Sequence, residues 1–368
     1  MKILQIIDSL PATSGGARFV VNLAIEVAKR NIFVDVLVID GRYSHFLEEL
    51  KNTGINLIIL DKNTTNRYKP RYVRQIASII DNYDLVHVHV FPASYFVALA
   101  SILNKGKTLI VFTEHAAFNR RATNPYFKFI EKFIYERFVK VVAISEAVQV
   151  FVHKNLGVKD EKISVINNGV NTNKIFKSVA ADRAKFNISA ADKVVLMAAR
   201  FADEKDHATV IKSFINLPEN FKLIFAGDGP NLDRCQKQVE ELGLLPKVQF
   251  LGSRADIYQI IKMSDINVLS SHHEGFGLSA VEAMAAGKPT IATNVPGLSE
   301  VVDKAGKLFN LGDHAQLTSL ILKLGTDDEF YKEISKRCLD RSKIYNIESM
   351  VDRYIALYQD VIKQKNGR

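Results

Sequence analysis

Short apolar runs alternate with amphipathic stretches along nearly the whole chain. In the first half the runs are Lys2–Ile7, Val34–Ile39, Ile55–Leu60, Leu85–Val90, Thr108–Phe112, Val141–Ile144 and Ser164–Ile166. Each is brief and rich in Val and Ile, the pattern of a strand covered on both faces. Between them apolar residues recur at helical spacing, as in Ala17–Arg30 and Tyr72–Asp81. The second half repeats the alternation with Val194–Ala198, Lys222–Ala226, Val248–Leu251, Ile266–Leu269 and Thr290–Ala292. Strands alternating with helices predict parallel, doubly wound sheets. Two sets predict an α/β chain of two Rossmann-like domains, residues 1–176 and 177–346. The turn Asn167-Asn168-Gly169-Val170 and the polar stretch Lys177–Lys193 are the predicted hinge.

Leu85 to Asn104 carries no Asp, Glu, Lys or Arg, and about twenty apolar residues suffice to cross a bilayer. The stretch also contains His87, His89, Pro92, Ser94 and Ser101, so it reads as a buried strand turning at Pro92 into a core helix. No transmembrane segment is expected. Met1–Asp8 is too short an apolar run for a secretory signal, and a reduced, cytoplasmic setting is the expectation.

The chain has 368 residues, more than one hydrophobic core usually serves. Its 47% hydrophobic and 24% charged residues exclude wholesale disorder. Two cysteines, Cys235 and Cys338, build no disulfide framework, and no Cys/His spacing resembles a zinc site. Net charge is +9, and all of it lies in the first half: residues 1–180 hold 24 basic and 15 acidic side chains. Between Lys62 and Lys140 there are 13 basic residues against 5 acidic.

The chemistry concentrates after two strands. Beyond Ile266–Leu269 comes Ser270-Ser271-His272-His273-Glu274-Gly275-Phe276-Gly277-Leu278, a glycine loop that turns helical near Leu278 and carries Glu282. Glycines there let backbone N–H groups approach a ligand, and a following helix N-terminus favours an anion. Carboxylates such as Glu274 and Glu282 accept hydrogen bonds from sugar hydroxyls. Taken alone, the loop would pass for a plain turn and Glu282 for a solvated helix residue. Beyond Val194–Ala198, Arg200 and Lys205 leave a strand end where a diphosphate would lie; taken alone, they would pass for surface bases offset by Asp203, Glu204 and Asp206.

Together these features resemble retaining glycosyltransferases of family 4. The resemblance rests on Arg200 with Lys205, the Ala226-Gly227-Asp228-Gly229-Pro230 turn, Phe250-Leu251-Gly252 and the E-x7-E pair Glu274 and Glu282. Ser14-Gly15-Gly16, Thr113-Glu114-His115 and Asn168-Gly169-Val170 extend it over most of the chain. It implies a GT-B fold, two facing Rossmann-like domains with a cleft between them, and a closing helix, about 347–368, that returns to the first domain. It also implies roles. Arg200 and Lys205 would hold the donor diphosphate, and Glu274 would contact the transferred sugar. Phe276, Gly277 and Leu278 would lend backbone groups, Glu282 would take the ribose hydroxyls, and Ser253 and Arg254 would frame the base. Gly16 would let the first-domain loop approach the donor phosphate and acceptor, and His115 would lie near the reacting sugar. No Asp-x-Asp occurs, so fixed cations take the place of a metal, and no metal or cofactor is expected.

The expected activity is transfer of a sugar from a nucleotide diphosphate donor, UDP-sugar before GDP-sugar, to a hydroxyl of a glycan or lipid-linked acceptor in surface polysaccharide synthesis. A GT-B-fold nucleotide-sugar epimerase and a non-catalytic sugar-nucleotide binding protein use the same residues and remain alternatives. An NAD oxidoreductase fits less well, because Gly-x-Gly-x-x-Gly is missing after the first strand. His87 and His89 fall on one side of a strand and read as packed or cleft-lining rather than as metal ligands. Phe127, Ile130, Ile134 and Phe138 recur at helical spacing with Lys128, Lys132 and Lys140 opposite, an apolar face that should pack on the first sheet. The basic face, with Arg67, Lys69, Arg71, Arg74, Arg120 and Arg121, would meet an anionic membrane or a lipid diphosphate. No nucleic-acid motif accompanies the charge.

Overall fold

The computed structural model describes residues 1–11, 14–42, 46–64 and 66–366. It divides into two units, Met1–Asn168 with Glu348–Arg368, and Gly169–Ile347. The closing residues Gly367 and Arg368, part of the expected returning helix, lie outside the described residues.

In the first unit seven strands form one parallel sheet: β1 (Lys2–Ser9), β2 (Phe33–Asp40), β3 (Leu57–Asp61), β4 (Leu85–His89), β5 (Ile110–Glu114), β6 (Lys140–Ala143) and β7 (Ile163–Val165). Their spatial order is β3-β2-β1-β4-β5-β6-β7. The order reverses between β1 and β4, the topological switch point at which open sheets of this kind bind ligands. Ile3, Leu4, Ile6, Val86 and Val88 are fully buried, as strands covered by helices on both faces require. Ser14 starts the helix Gly15–Ala28: its Oγ accepts from the N–H of Ala17 at 3.2 Å, satisfying one of the four orphan donors. The stretch after β4 is the expected core helix, Ala93–Leu103. Among the described residues no helix is long and apolar enough to cross a membrane.

The second unit is a six-stranded parallel sheet: β8 (Lys193–Ala198), β9 (Phe221–Ala226), β10 (Val248–Phe250), β11 (Ile266–Leu269), β12 (Thr290–Thr293) and β13 (Lys307–Phe309). Its order is β10-β9-β8-β11-β12-β13, with the switch point between β8 and β11. Val194, Leu196, Ile224, Ile260, Ile261 and Ala283 form one core under this sheet. The strand β13 was not expected from the apolar pattern, since it is three residues at a sheet edge.

The predicted hinge differs from the structure in its second part. Lys177–Lys193 is packed on the second unit: Ala181 N–H donates to the carbonyl of Gln259 at 3.0 Å. The Arg183 guanidinium reaches both carboxylate oxygens of Asp265 at 2.9 Å. Residues 169–176 also group with the second unit, where Val170 bridges Asn346. The chain changes unit at Asn168–Gly169 and again at Ile347–Glu348.

The helix Ile347–Asn366 lies on the first sheet. Arg30, two residues beyond the helix Gly15–Ala28, makes an ion pair to its Asp352 at 2.9 Å. Tyr354 and Tyr358 are completely buried against residues of β1, β4 and β5.

Candidate functional site

In the second unit the loops that follow β8 and β11 close on each other at the switch point. Asp206 N–H donates to the carbonyl of Ser270 at 3.0 Å, and His272 N–H to that of Glu204 at 2.9 Å. Between these bonds Lys205 and Ser271 form an antiparallel bridge. Side chains reinforce the seam. The Ser270 hydroxyl donates to Asp206 Oδ2 at 3.1 Å, and Asp206 Oδ1 caps the helix His207–Ser213 by accepting from Thr209 N–H at 3.2 Å.

The seam places Lys205 and Glu274 together. The Lys205 ammonium is ion-paired to Glu274 Oε2 and donates to Ser271 Oγ at 3.3 Å. Ser271 Oγ in turn donates to the same Glu274 oxygen at 3.4 Å. Both charged side chains keep a small exposed fraction, 14% for Lys205 and 17% for Glu274. A cation fixed by two neighbours but open to solvent is preorganised to receive an anion. Arg200, from the same loop, is exposed, and no described residue holds its guanidinium.

Two glycines make the carboxylate loop possible. Gly277 has φ 88° and begins the helix Leu278–Ala285, and no side chain among the described residues caps that helix. Glu274 Cγ would stand 3.7 Å from a Cβ at Gly277, so the start of this helix lies beside that carboxylate, and a helix start of this kind favours an anion. Gly297 has φ 82°, and a Cβ there would stand 2.3 Å from the carbonyl oxygen of Glu274. Only glycine lets the loop after β12 back the Glu274–Gly275 peptide so closely.

Of the remaining residues singled out in the second unit, Phe276 is 2% exposed and packs edge-on against Tyr345 at 5.2 Å. Only its backbone can serve a ligand. Leu278 is the first residue of the helix that carries Glu282, which accepts a hydrogen bond from the Tyr258 hydroxyl at 3.2 Å. Ser253 and Arg254 are exposed in the loop after β10. The Arg254 guanidinium forks onto Asp256 with both bonds at 2.8 Å, which holds the Asp256 carboxyl below its ordinary range. Sequence reasoning missed Ser271 as the bridge, Asp206 and Ser270 as the seam, and Tyr258.

Within the first unit Gly16 lies in the first turn after β1. A Cβ there would find ordinary contact with Val90 at 3.5 Å, so the position is open rather than forced. His115 follows β5 and stands edge-on to Phe19 at 4.9 Å. Burial pushes its imidazolium down, to about 4. Its Nε2 is 3.4 Å from Nδ1 of His89. His87 and His89 are packed histidines, each fully buried. Among the described residues no group of three His, Cys, Asp or Glu is placed to hold a metal ion.

One expectation about the basic half needs correction, and part of its charge is internally paired: Arg67 to Asp8 at 3.2 Å, Lys69 and Arg71 to Asp61 at 2.9 and 2.6 Å, Arg121 to Glu131 at 2.8 Å. Arg121 also stacks on the Phe91 ring. The apolar face of the helix Pro125–Glu136 does not all pack. Ile134 and the following Phe138 are buried, but Tyr126, Phe127, Phe129 and Ile130 stand 88, 49, 78 and 41% exposed. Lys128 and Lys132 of the same helix make no ion pair to a described residue.

Comparison with known proteins supports the same picture. Residues 13–174 match the family described as Glycosyltransferase Family 4, and residues 178–340 match Glycosyl transferases group 1. The N-acetyl-alpha-D-glucosaminyl L-malate synthase of Bacillus anthracis is 28% identical over 83% of this chain and 85% of that protein. The UDP-Gal:alpha-D-GlcNAc-diphosphoundecaprenol alpha-1,3-galactosyltransferase of Escherichia coli is 29% identical over 77% of each. The crystal structure of Anabaena Alr3699/HepE in complex with UDP and glucose superposes with a TM-score of 0.86, at 23% identity, over 98% of this chain and 100% of that one. At that identity the likeness speaks to the fold, which is GT-B.

Proposed function

The chain belongs to glycosyltransferase family 4, and on that premise we propose a retaining, metal-independent transfer of a sugar from a UDP-sugar to a hydroxyl of a lipid-linked glycan in surface polysaccharide assembly. The observation that carries this reading is the Lys205 ammonium held between Ser271 and Glu274, beside an uncapped helix N-terminus. Cleaving a sugar–diphosphate bond leaves negative charge on the diphosphate and positive charge at the anomeric carbon. Lys205, Arg200 and the amides of Gly277, Leu278 and Ser279 would stabilise the first more in the transition state than in the ground state. Glu274 lies beside the ammonium and is suited to the sugar hydroxyls. Glu282, already bonded to Tyr258, is suited to the ribose. These fixed cations can do what a divalent ion does elsewhere.

Retention is proposed to proceed on one face of the sugar. The anomeric C–O bond to the diphosphate breaks as a bond to the acceptor oxygen forms, and the acceptor proton passes to the departing phosphate oxygen. Gly16 and His115 would serve the acceptor side. The E. coli relative pairs a UDP-Gal donor with an α-1,3 product; common UDP-hexoses are α-glycosyl diphosphates, so such a product has the configuration of the donor. The same relative's name supplies the precedent for a lipid diphosphate acceptor. The exposed aromatic residues of Pro125–Glu136, with Lys128 and Lys132, support peripheral contact with an anionic membrane, since aromatic rings settle at that interface.

The test is a panel of UDP- and GDP-sugars incubated with the protein, with and without a chelator, and the anomeric configuration of the product read by NMR. UDP-sugar turnover that survives chelation, with an α product, is expected. A strict divalent-metal requirement, an inverted product, or isomerised donor without transfer would refute the reading.

A further inference from the structure

The centre of the first sheet buries an unusual amount of polar chemistry. Gln5 on β1, His87 and His89 on β4, Thr113 on β5, and Tyr354 and Tyr358 of the returning helix are all 0% exposed. Such groups are costly to bury unless each finds a partner. Here they find one another. Tyr358 Oη lies 2.6 Å from His87 Nδ1, and His87 Nε2 lies 2.7 Å from Thr113 Oγ1. Thr113 Oγ1 is 3.2 Å from Tyr354 Oη. In the other direction Gln5 Nε2 donates to Tyr358 Oη at 3.3 Å, and Gln5 Oε1 is 2.6 Å from His89 Nε2. His89 Nδ1 then meets His115 Nε2 at 3.4 Å. The chain of bonds runs from the returning helix to the one histidine that reaches the surface.

Proton counting along this chain leaves one self-consistent answer once the Gln5 amide nitrogen faces Tyr358. Gln5 Oε1 can only accept, so His89 Nε2 carries a hydrogen. A neutral imidazole has one N–H, so His89 Nδ1 is bare and must accept. His115 Nε2 therefore donates, and His115 Nδ1 is left bare. That atom meets no described residue and is not among the buried unpartnered polar atoms, so a ligand can reach it. Burial keeps all three rings neutral, which the counting requires. On the far side Tyr358 can donate to His87, His87 to Thr113 and Thr113 to Tyr354, so every polar side-chain atom named in the set has a partner. Phe19 packs on His89, His115 and Tyr354 and holds the two rings at their angle.

We propose that Gln5 and His89 are positioning residues that fix His115 as its Nε2–H tautomer and present a bare Nδ1 to accept a hydrogen bond from a hydroxyl of the bound sugar substrate. The proposal rests on the reading of His115 as a substrate-facing residue. A sugar hydroxyl that donates to this nitrogen is oriented by it, whereas the opposite tautomer would present a donor and turn that hydroxyl round. The second-layer partner of a functional histidine sets which ring nitrogen does the work.

Long-range proton–nitrogen correlation NMR on the histidine-labelled full chain reads the tautomer directly. The Nε2–H form of His115 is expected in the wild type, and the Nδ1–H form would overturn the proposal. Variants give the kinetic arm, using the UDP-sugar that the donor panel shows to be turned over fastest. His89→Phe removes the acceptor of the His115 hydrogen, whereas His89→Asn keeps an amide oxygen near the old Nδ1. His89→Phe and Gln5→Leu should lower kcat about tenfold, the worth of one hydrogen bond, with donor KM little changed, and His89→Asn should recover most of it. A folded His89→Asn no better than His89→Phe overturns the proposal. If His89→Phe does not fold, the wild-type tautomer and the Gln5→Leu kinetics decide. Unchanged turnover in His115→Phe would instead refute the substrate-facing reading itself, whatever the tautomer.

Discussion

Acid should loosen the first unit at a pH where most carboxylates are still ionised. His87, His89 and His115 are neutral in the fold: burial lowers all three below their ordinary 6.5, His115 to about 4. The unfolded chain therefore binds more protons than the fold below pH 6.5, so stability is complete above that value and falls as pH drops toward 4. At pH 5 a histidine of ordinary pKa gains about 2 kcal/mol from its proton, against about 0.2 kcal/mol at pH 7, and the fold withholds that gain. Three such residues remove about 5 kcal/mol between pH 7 and 5, comparable with a domain's whole margin of about 5–15 kcal/mol. Two buried carboxyls oppose them. Burial raises Asp8 and Glu114, so their ionisation penalty is relieved as pH falls, which offsets part of the loss.

A variant separates the two contributions. His89→Asn takes away one of the three proton sinks of the unfolded chain, and the pH 7-to-5 loss should shrink by about 2 kcal/mol whatever the carboxyls do. Urea unfolding at both pH values, followed by hydrogen exchange in peptides from β4 and the helix Ile347–Asn366, isolates the first unit. That choice matters because His207 of the second unit, stacked on Phe201, is also pushed down to about 4. Equal stability of the β4 peptide at pH 7 and 5, or an unchanged pH dependence in His89→Asn, would refute the reasoning.

Four further outcomes are expected. Lys205→Ala should cut UDP-sugar turnover by about 10²–10³-fold, the usual loss for one preorganised charge-stabilising donor, with the melting transition retained; normal turnover would remove Lys205 from the site. Glu282→Ala should raise donor KM about tenfold with little change in kcat, as loss of uniform binding does, and Tyr258→Phe should do less; titration calorimetry with UDP checks both. Gly297→Ala should cost more than about 1 kcal/mol in thermal unfolding, because its Cβ would press on the Glu274 carbonyl at 2.3 Å, and it should lower turnover as Glu274 moves. Phe129→Glu should weaken sedimentation with phosphatidylglycerol vesicles without altering turnover of a soluble donor, and equal sedimentation would dismiss that helix as the membrane contact.

The two sheets could be read from the chain because parallel strands buried on both faces leave continuous Val/Ile runs, as in β1, β4 and β11. The edge strand β13 leaves only Lys307-Leu308-Phe309, too short to show any period. The motif residues Lys205 and Glu274 could be named individually. Their closure through Ser271 could not, since that bond joins positions 66 residues apart and depends on two loops meeting. The helix Pro125–Glu136 marks a different limit. Helical spacing identified Phe127, Ile130, Ile134 and Phe138, but spacing does not say which of them are covered, and Phe127 and Ile130 are exposed. The histidine chain was out of reach for the same reason: Gln5 and Tyr358 are 353 residues apart.

Synthesis runs from the first residue onward, yet the first unit is not contiguous in the chain. Its sheet is laid down early, while the two tyrosines that satisfy His87, Gln5 and Thr113 arrive only with residues 348–366. Gly169–Ile347 has all of its own strands by the time those tyrosines leave the ribosome. The unit translated first is therefore the one completed last, waiting half-assembled with polar side chains unmatched at its centre while its neighbour matures.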